Sequence, residues 1–180
     1  KYSQKRKINK NKIFISGTNG LTAQYGGWDQ IIQNVSEKLS EEYLVICHGS
    51  FYDANSELEK RYKSKVKLFK IQANGLSSVI FDLRCLIDAY SGKGICLMMG
   101  TSGGIFFPIF KLLGLKIILN PDGFEWRRSK WNKLIKLFLF ISDYLAINFS
   151  DLIVCDHPVR QERDRKLSNT RTVYIPYGGD

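Results

Sequence analysis

GICLMMGTSGGIFFPIFKLLGLKIILN, residues 94–120, decides the fold. Its first apolar run leads into a loop with glycine at 100, 103 and 104. A second apolar run follows and, after Gly114, a third. No residue from Gly94 to Phe110 is charged, yet the stretch is short for a bilayer span and is broken by Gly100, Gly103, Gly104 and Pro108. It reads instead as a strand, a glycine loop and a helix. ICLMM (95–99) is the strand, the segment ending at Gly114 is the helix, and LKIILN (115–120) is the next strand. Both strands are apolar throughout, without polar alternation, as in a sheet covered on both faces.

The alternation extends in both directions. KIFISG (12–17) is a strand, after which Trp28, Ile31, Ile32, Val35 and Leu39 recur at helical spacing. YLVICH (43–48) and KVKLFKI (65–71) are strands, and LSSVIFDLRCLIDAY (76–90) is an apolar helix. A long helix is expected from near Ser129 to about Phe149. DLIVCD (151–156) is a strand, PVRQERDRKL (158–167) a helix and TVYIP (172–176) a last strand. The expected class is α/β, a doubly wound and mostly parallel sheet. No internal repeat and no low-complexity linker interrupts it.

Composition agrees with a globular chain: 180 residues, 44% hydrophobic and 24% charged, enough for one domain or half of a two-domain protein. The net charge of +10 is concentrated. KYSQKRKINKNK opens the chain with six Lys or Arg, and five more lie between Arg127 and Lys136. Such patches attract phosphates, nucleic acid or anionic lipid, or serve as solvated surface. Cys47, Cys85, Cys96 and Cys155 form no C-x-x-C pair, and buried free thiols in a reducing compartment are expected. The basic start leads into KIFISGTNG and not into a long apolar segment, so no signal peptide is expected.

In doubly wound sheets ligands sit beyond the carboxyl ends of the strands. The candidate loops are GTNGLTAQYGGW after the first strand, HGS after the second, GTSGG after Met99, NPDGFEWRR after Leu119 and DHPVR after Cys155. In the first, Gly17, Gly20, Gly26 and Gly27 let backbone approach a ligand or shape a turn. The last two also precede a helix whose free N–H groups favour an anion. The spacing is not G-x-G-x-x-G, and the second strand ends in His48 with no Asp or Glu placed to hold a ribose, which argues against a dinucleotide. Thr101 and Ser102 sit in a second glycine loop that suits either a hydroxyl or anion site or close helix packing. His48 and His157 both fall at strand ends. No His, Cys and Asp cluster has metal-ligand spacing, so no metal site is expected.

NPDGFEWRRSKW (120–131) is the densest of these loops in polar chemistry. Pro121, Asp122 and Gly123 form a turn directly off a strand. Asp122 and Glu125 can face the crevice, and Arg127 and Arg128 can pair with them or with a phosphate. The alternative is a capped, salt-bridged helix start with Trp126 and Trp131 in the core. The helix that follows carries Lys130, Lys133 and Lys136 as a basic stripe, and it is either a core helix or one lying partly against a membrane surface.

GTNGLTAQYGGWD resembles the first loop of a bacterial rhamnosyltransferase-like group of family-four glycosyltransferases, in which G-T-x-G is followed by Y-G-G, an aromatic and an acid. LNPDGFEWRRSKW resembles that group's second signature, N-x-D-G-x-E-W-x-R-x-K-W. DLIVCD and YIPYGGD resemble its later strand and its exit into a second domain. The resemblance runs from Lys12 to Asp180. It implies a Rossmann-like domain, the N-terminal, acceptor-side half of a retaining GT-B enzyme, at 12–180 behind a basic tail at 1–11. The donor-binding C-terminal domain, with its glutamates eight positions apart, lies outside this sequence, and the fragment alone is expected to be inactive.

The same resemblance implies transfer of a hexosyl or deoxyhexosyl unit, such as rhamnosyl, from a nucleotide-sugar to a polysaccharide or lipid-linked acceptor. The setting would be synthesis of capsule or O-antigen, cytoplasmic and peripheral at the inner face of the plasma membrane. The implied catalytic residues are Asp122 and Glu125. Gly17, Thr18, Gly20, Tyr25, Gly26, Gly27, Asp29, Thr101, Ser102, Arg127, Arg128 and His157 would bind substrate. No protein-held cofactor or metal is implied. The sequence departs from the group at Asp29, where Glu is usual, and from the wider family at Asp122, where His is common. Two other classes compete: a basic nucleic-acid-binding module, which would set exposed aromatics beside its basic residues, and a Rossmann oxidoreductase.

Overall fold

Ile13, Phe14 and Ile15 lie at the centre of a seven-stranded, all-parallel sheet. The structure is a computed structural model that describes residues 11–21, 27–50 and 63–176. Its strands are β1 (Lys12–Ser16), β2 (Leu44–Ser50), β3 (Lys65–Phe69), β4 (Ile95–Met99), β5 (Lys116–Asn120), β6 (Leu152–Cys155) and β7 (Thr172–Tyr174). Their order is β3-β2-β1-β4-β5-β6-β7. Ile13 pairs with Val45 on one side and with Ile95 on the other. The chain therefore winds outward from β1 to β3, returns, and winds outward again from β4 to β7.

Five helices are described: α1 (Gly27–Leu39), α2 (Ser77–Ser91), α3 (Phe107–Leu112), α4 (Lys133–Phe149) and α5 (Pro158–Leu167). Alternate strand residues feed two cores. Ile13, Ile15, Val45 and Cys47 pack with Ile32 of α1. Phe14, Met98, Ile117 and Leu119 pack with Phe81 of α2, Phe107 of α3 and Ala146 of α4. This two-sided burial is why the central strands show no polar alternation, whereas the edge strand β3 alternates lysines with apolar residues. All four cysteines are buried free thiols.

Three local expectations are corrected. HGS belongs to β2 and is not a loop. The helix before Gly114 is shorter than expected, because Gly104–Phe106 forms a separate 3-10 turn and Pro108 sits in the first turn of α3. The long helix starts at Lys133, not near Ser129. Glu125–Arg127 is a single 3-10 turn, Arg128 is extended, and Asn132 caps α4 by accepting from the Ile135 N–H at 2.9 Å.

His48 serves the sheet. Its Nδ1 lies 2.8 Å from Ser16 Oγ and its Nε2 3.0 Å from Asp88 Oδ2, between the rings of Phe14 and Phe69. The bond to His48, and then Lys67 beside it, holds the Asp88 carboxyl at about 2. Burial pushes the His48 pKa down.

Candidate active site

Between β1 and β4 the successive loops diverge, and a crevice opens beyond the strand ends. It holds about 390 Å³. Gly17, Thr18 and Asn19 after β1, Thr101 and Ser102 after β4, and Asp122 and Glu125 after β5 all line it. Trp28 and Asp29 come from the first turn of α1, and Arg128, Lys130 and Trp131 form the far wall.

Two glycines fix the loops. Gly17 has φ +90, and a Cβ there would fall 2.1 Å from the Met99 carbonyl oxygen, so the loop after β1 can rest on the end of β4 only as glycine. At Gly104 a Cβ would fall 2.1 Å from the Ser142 carbonyl oxygen. The Ser142 hydroxyl reaches from α4 to the carbonyls of Thr101, at 2.7 Å, and Ser102, at 3.0 Å. Close packing is thus the role of the glycines at 103 and 104, while Gly100, Thr101 and Ser102 face the cleft.

Asp122 adopts φ +56, which is rare outside glycine, and its N–H donates to Asn120 Oδ1 at 3.3 Å. Burial raises its carboxyl pKa. Asp156 and Glu125 add to the rise, and the Gly123 N–H and Arg128 oppose it. Glu125 is held from three directions. Trp131 Nε1 donates to Oε1 at 3.0 Å, Lys130 Nζ lies 2.9 Å from the same oxygen, and Arg128 Nε lies 2.8 Å from Oε2. Arg127 instead stacks on Phe124 and Trp126, with ring centroids 4.6 and 4.9 Å away, and does not line the cleft.

Of the remaining candidates, Thr18 is buried and its Oγ1 accepts from the Gly20 N–H at 3.3 Å. Gly20 itself packs against Gly49. Asp29 is buried at the cleft wall, and Gly27 opens α1 as an exposed residue. His157 is exposed and caps α5 through the Val159 N–H at 3.2 Å, apart from the cleft lining. Tyr25 and Gly26 lie outside the described residues. Among the described residues no cluster of His, Cys, Asp or Glu has the make-up of a metal site.

Sequence reasoning missed two contributors. The loop after β3 brings Asn74, Gly75 and Ser78 to the cleft, and the side-chain amide of Asn74 donates to Asn19 Oδ1 at 3.4 Å. The Asn74-Gly75 pair was the available turn signal. Beneath the Asp122 loop lies a buried ionic network. Arg160, 2% exposed, pairs with Asp164 at 2.8 Å and Asp143 at 2.5 Å, donates to the Gly123 carbonyl at 3.3 Å, and sits 5.1 Å over the Phe124 ring. Arg163 pairs with Asp143 at 2.7 Å and with Asp164 at 2.9 Å. The helix-spaced Arg160 and Asp164 were visible in the sequence, but their burial and their reach to Gly123 were not.

The fold is a Rossmann-like α/β domain, a seven-stranded parallel sheet between helices. UGT2 of Phytolacca americana, solved with UDP-2-fluoro-glucose and pterostilbene, matches it at TM-score 0.56 and 8% identity, over 96% of this chain and 54% of that one. At that identity the likeness is one of fold, and the chain spans about half the length of this neighbour. Residues 10–180 match the family described as domain of unknown function DUF1972, and the chain belongs to that family. No curated protein matches it.

Proposed function

We propose that the chain is the acceptor-side, N-terminal half of a retaining glycosyltransferase. The enzyme would move a hexosyl or deoxyhexosyl unit, such as rhamnosyl, from a nucleotide-sugar to a polysaccharide or lipid-linked acceptor in bacterial surface glycan synthesis. The observation that carries this reading is the composition of the cleft at the switch point: Trp28 and Trp131 beside Asp122 and Glu125. Indole faces suit the C–H faces of a sugar, and carboxylates suit its hydroxyls. The raised pKa of Asp122 fits a group that takes the acceptor hydroxyl's proton during transfer. Glu125, fixed by Arg128, Lys130 and Trp131, would hold a second hydroxyl. Backbone N–H groups of the loop after β1 would face the leaving diphosphate. The test is transfer of labelled sugar from nucleotide-sugars to lipid-linked acceptors by the longer protein, with none by residues 1–180 alone. Turnover by the 180-residue chain would end the half-domain reading.

The proposed acceptor brings the enzyme to a membrane, and the surface of α3 and α4 suits one. Ile109 and Leu112 of α3, and Leu134, Leu137 and Ile141 of α4, are exposed, with the exposed Lys133 and the half-buried Lys136 among them, while Lys130 beside them is paired with Glu125 at the cleft. Among the described residues no helix is long and apolar enough to cross a membrane. Each Lys at an anionic surface contributes about 1 kcal/mol. The chain is therefore expected to sediment with anionic vesicles at low salt and to come off at about half-molar salt, where the Debye length is about 4 Å. Equal binding to neutral vesicles would assign the contact to the apolar side chains, and binding to neither would remove the membrane from the proposal.

A further inference from the structure

Asp82 stands in the second turn of α2 with 1% of its surface exposed. Its carboxylate accepts the Ser102 hydroxyl at 2.5 Å and the backbone N–H of Gly103. Helix and loop are pressed together here: a Cβ on Gly103 would lie 2.4 Å from the Asp82 Cβ. Among the described residues, no cation figures in the groups acting on Asp82. Its titratable neighbours are Cys85 on α2 and Cys96 on β4, thiols that burial pushes far up and keeps neutral. Burial with so little compensation lifts the Asp82 carboxyl to about 7.

Ser102 lines the cleft, and it has a single hydroxyl proton. While Asp82 is ionised, that proton is held inward and only lone pairs are left for the cleft. Ser102 then accepts from a ligand hydroxyl or N–H and repels an oxyanion. Once Asp82 is protonated, it can donate to Ser102 Oγ, and the serine proton turns outward. Ser102 then donates to an oxygen such as that of a phosphate. We propose that Asp82 is a positioning residue of the cleft, its proton deciding whether Ser102 receives a ligand hydroxyl or donates to a ligand oxyanion. The inference rests on the cleft being the ligand site of the proposed transferase, and it names the groups the cleft floor tells apart: sugar hydroxyl and phosphate oxygen.

Sulfate is a suitable probe, since it only accepts hydrogen bonds and keeps its charge on both sides of neutrality. Calorimetric titration of the chain should show sulfate bound about tenfold more tightly at about pH 5.5 than at about pH 8.5, the worth of one hydrogen bond to a charged group. Asp82→Asn should remove that dependence, and Ser102→Ala should bind weakly at both values. Any other titrating group would leave the dependence intact in both variants, and that result overturns the proposal, as does absence of sulfate binding at either pH. Carbon-13 titration of the Asp82 carboxyl in the unsubstituted chain needs no variant to fold. A midpoint near 7 is expected, and one at about 4, the ordinary carboxyl value, overturns the proposal. If sulfate binds in this way while the longer protein transfers no sugar, the inference stands and the glycosyltransferase reading falls.

Discussion

Arg160→Ala should lower the folding stability of the chain by about 3–5 kcal/mol, read from the denaturant midpoint at constant slope. The substitution leaves Asp143 and Asp164, 1% and 0% exposed, with Arg163 as their remaining cationic partner. A buried pair broken from one side is costly because the surviving charge stays out of water. The variant also loses the donor to the Gly123 carbonyl and the cation over the Phe124 ring. Set against a usual domain stability of about 5–15 kcal/mol, such a loss leaves little margin. A change of less than about 1 kcal/mol would show that the network does not hold the Asp122 loop.

In the transferase proposed above, Asp122→Asn and Glu125→Gln should each lower sugar transfer by about tenfold or more, with the fold intact. Asn is among the few side chains that accept a positive φ, so it can keep the +56 backbone at position 122 and remove only the charge. The loss would then be chemical and not conformational. A carboxylate can act as a base only when ionised, and the pKa of Asp122 is raised by burial. Activity of the unsubstituted enzyme should therefore fall as pH drops through that raised value, and the acid limb should vanish in the Asn variant. Glu125→Gln keeps the Trp131 bond but loses its ion pairs with Arg128 and Lys130. Full activity in both variants would make NPDGFEWRRSKW a structural segment and move the site elsewhere.

The central strands were legible because a sheet with cores on both faces needs uninterrupted apolar runs, and runs of five or so residues between turn residues are too short for most helices. Helix ends were less legible. The apolar period of α4 is clear, but its start depends on Asn132 as a cap and on the extended Arg128, and both are backbone choices that a window of hydrophobicity does not register. Asp122, Glu125 and Arg128 lie together beyond one strand end because all three belong to a single short loop, and that much a sequence displays directly. Arg127 has the same chemistry as Arg128, and neighbouring aromatics decided which of the two turned to the cleft. Asn74 and Ser78 enter the cleft only because the chain crosses back from the edge strand β3 to β4, and Asp82 reaches Ser102 only because α2 lies on that crossover. Those are tertiary facts without a local signature.

The pairing of β1 with β4 also governs how the chain comes into being. Ile13 finds Val45 early along the chain, but its other neighbour is Ile95, and everything between must exist before that ladder can close. Closing so large a loop is entropically expensive, and parallel, non-local ladders form slowly. On the ribosome, β1 to β3 can assemble first, leaving the β1 edge with a row of open amides and carbonyls between Ile13, Phe14 and Ile15. An apolar edge of that kind is a template for the wrong partner, in the same chain or in another. The seam that becomes a crevice in the finished domain is thus, during synthesis, the place where the nascent chain most needs its own β4 to arrive.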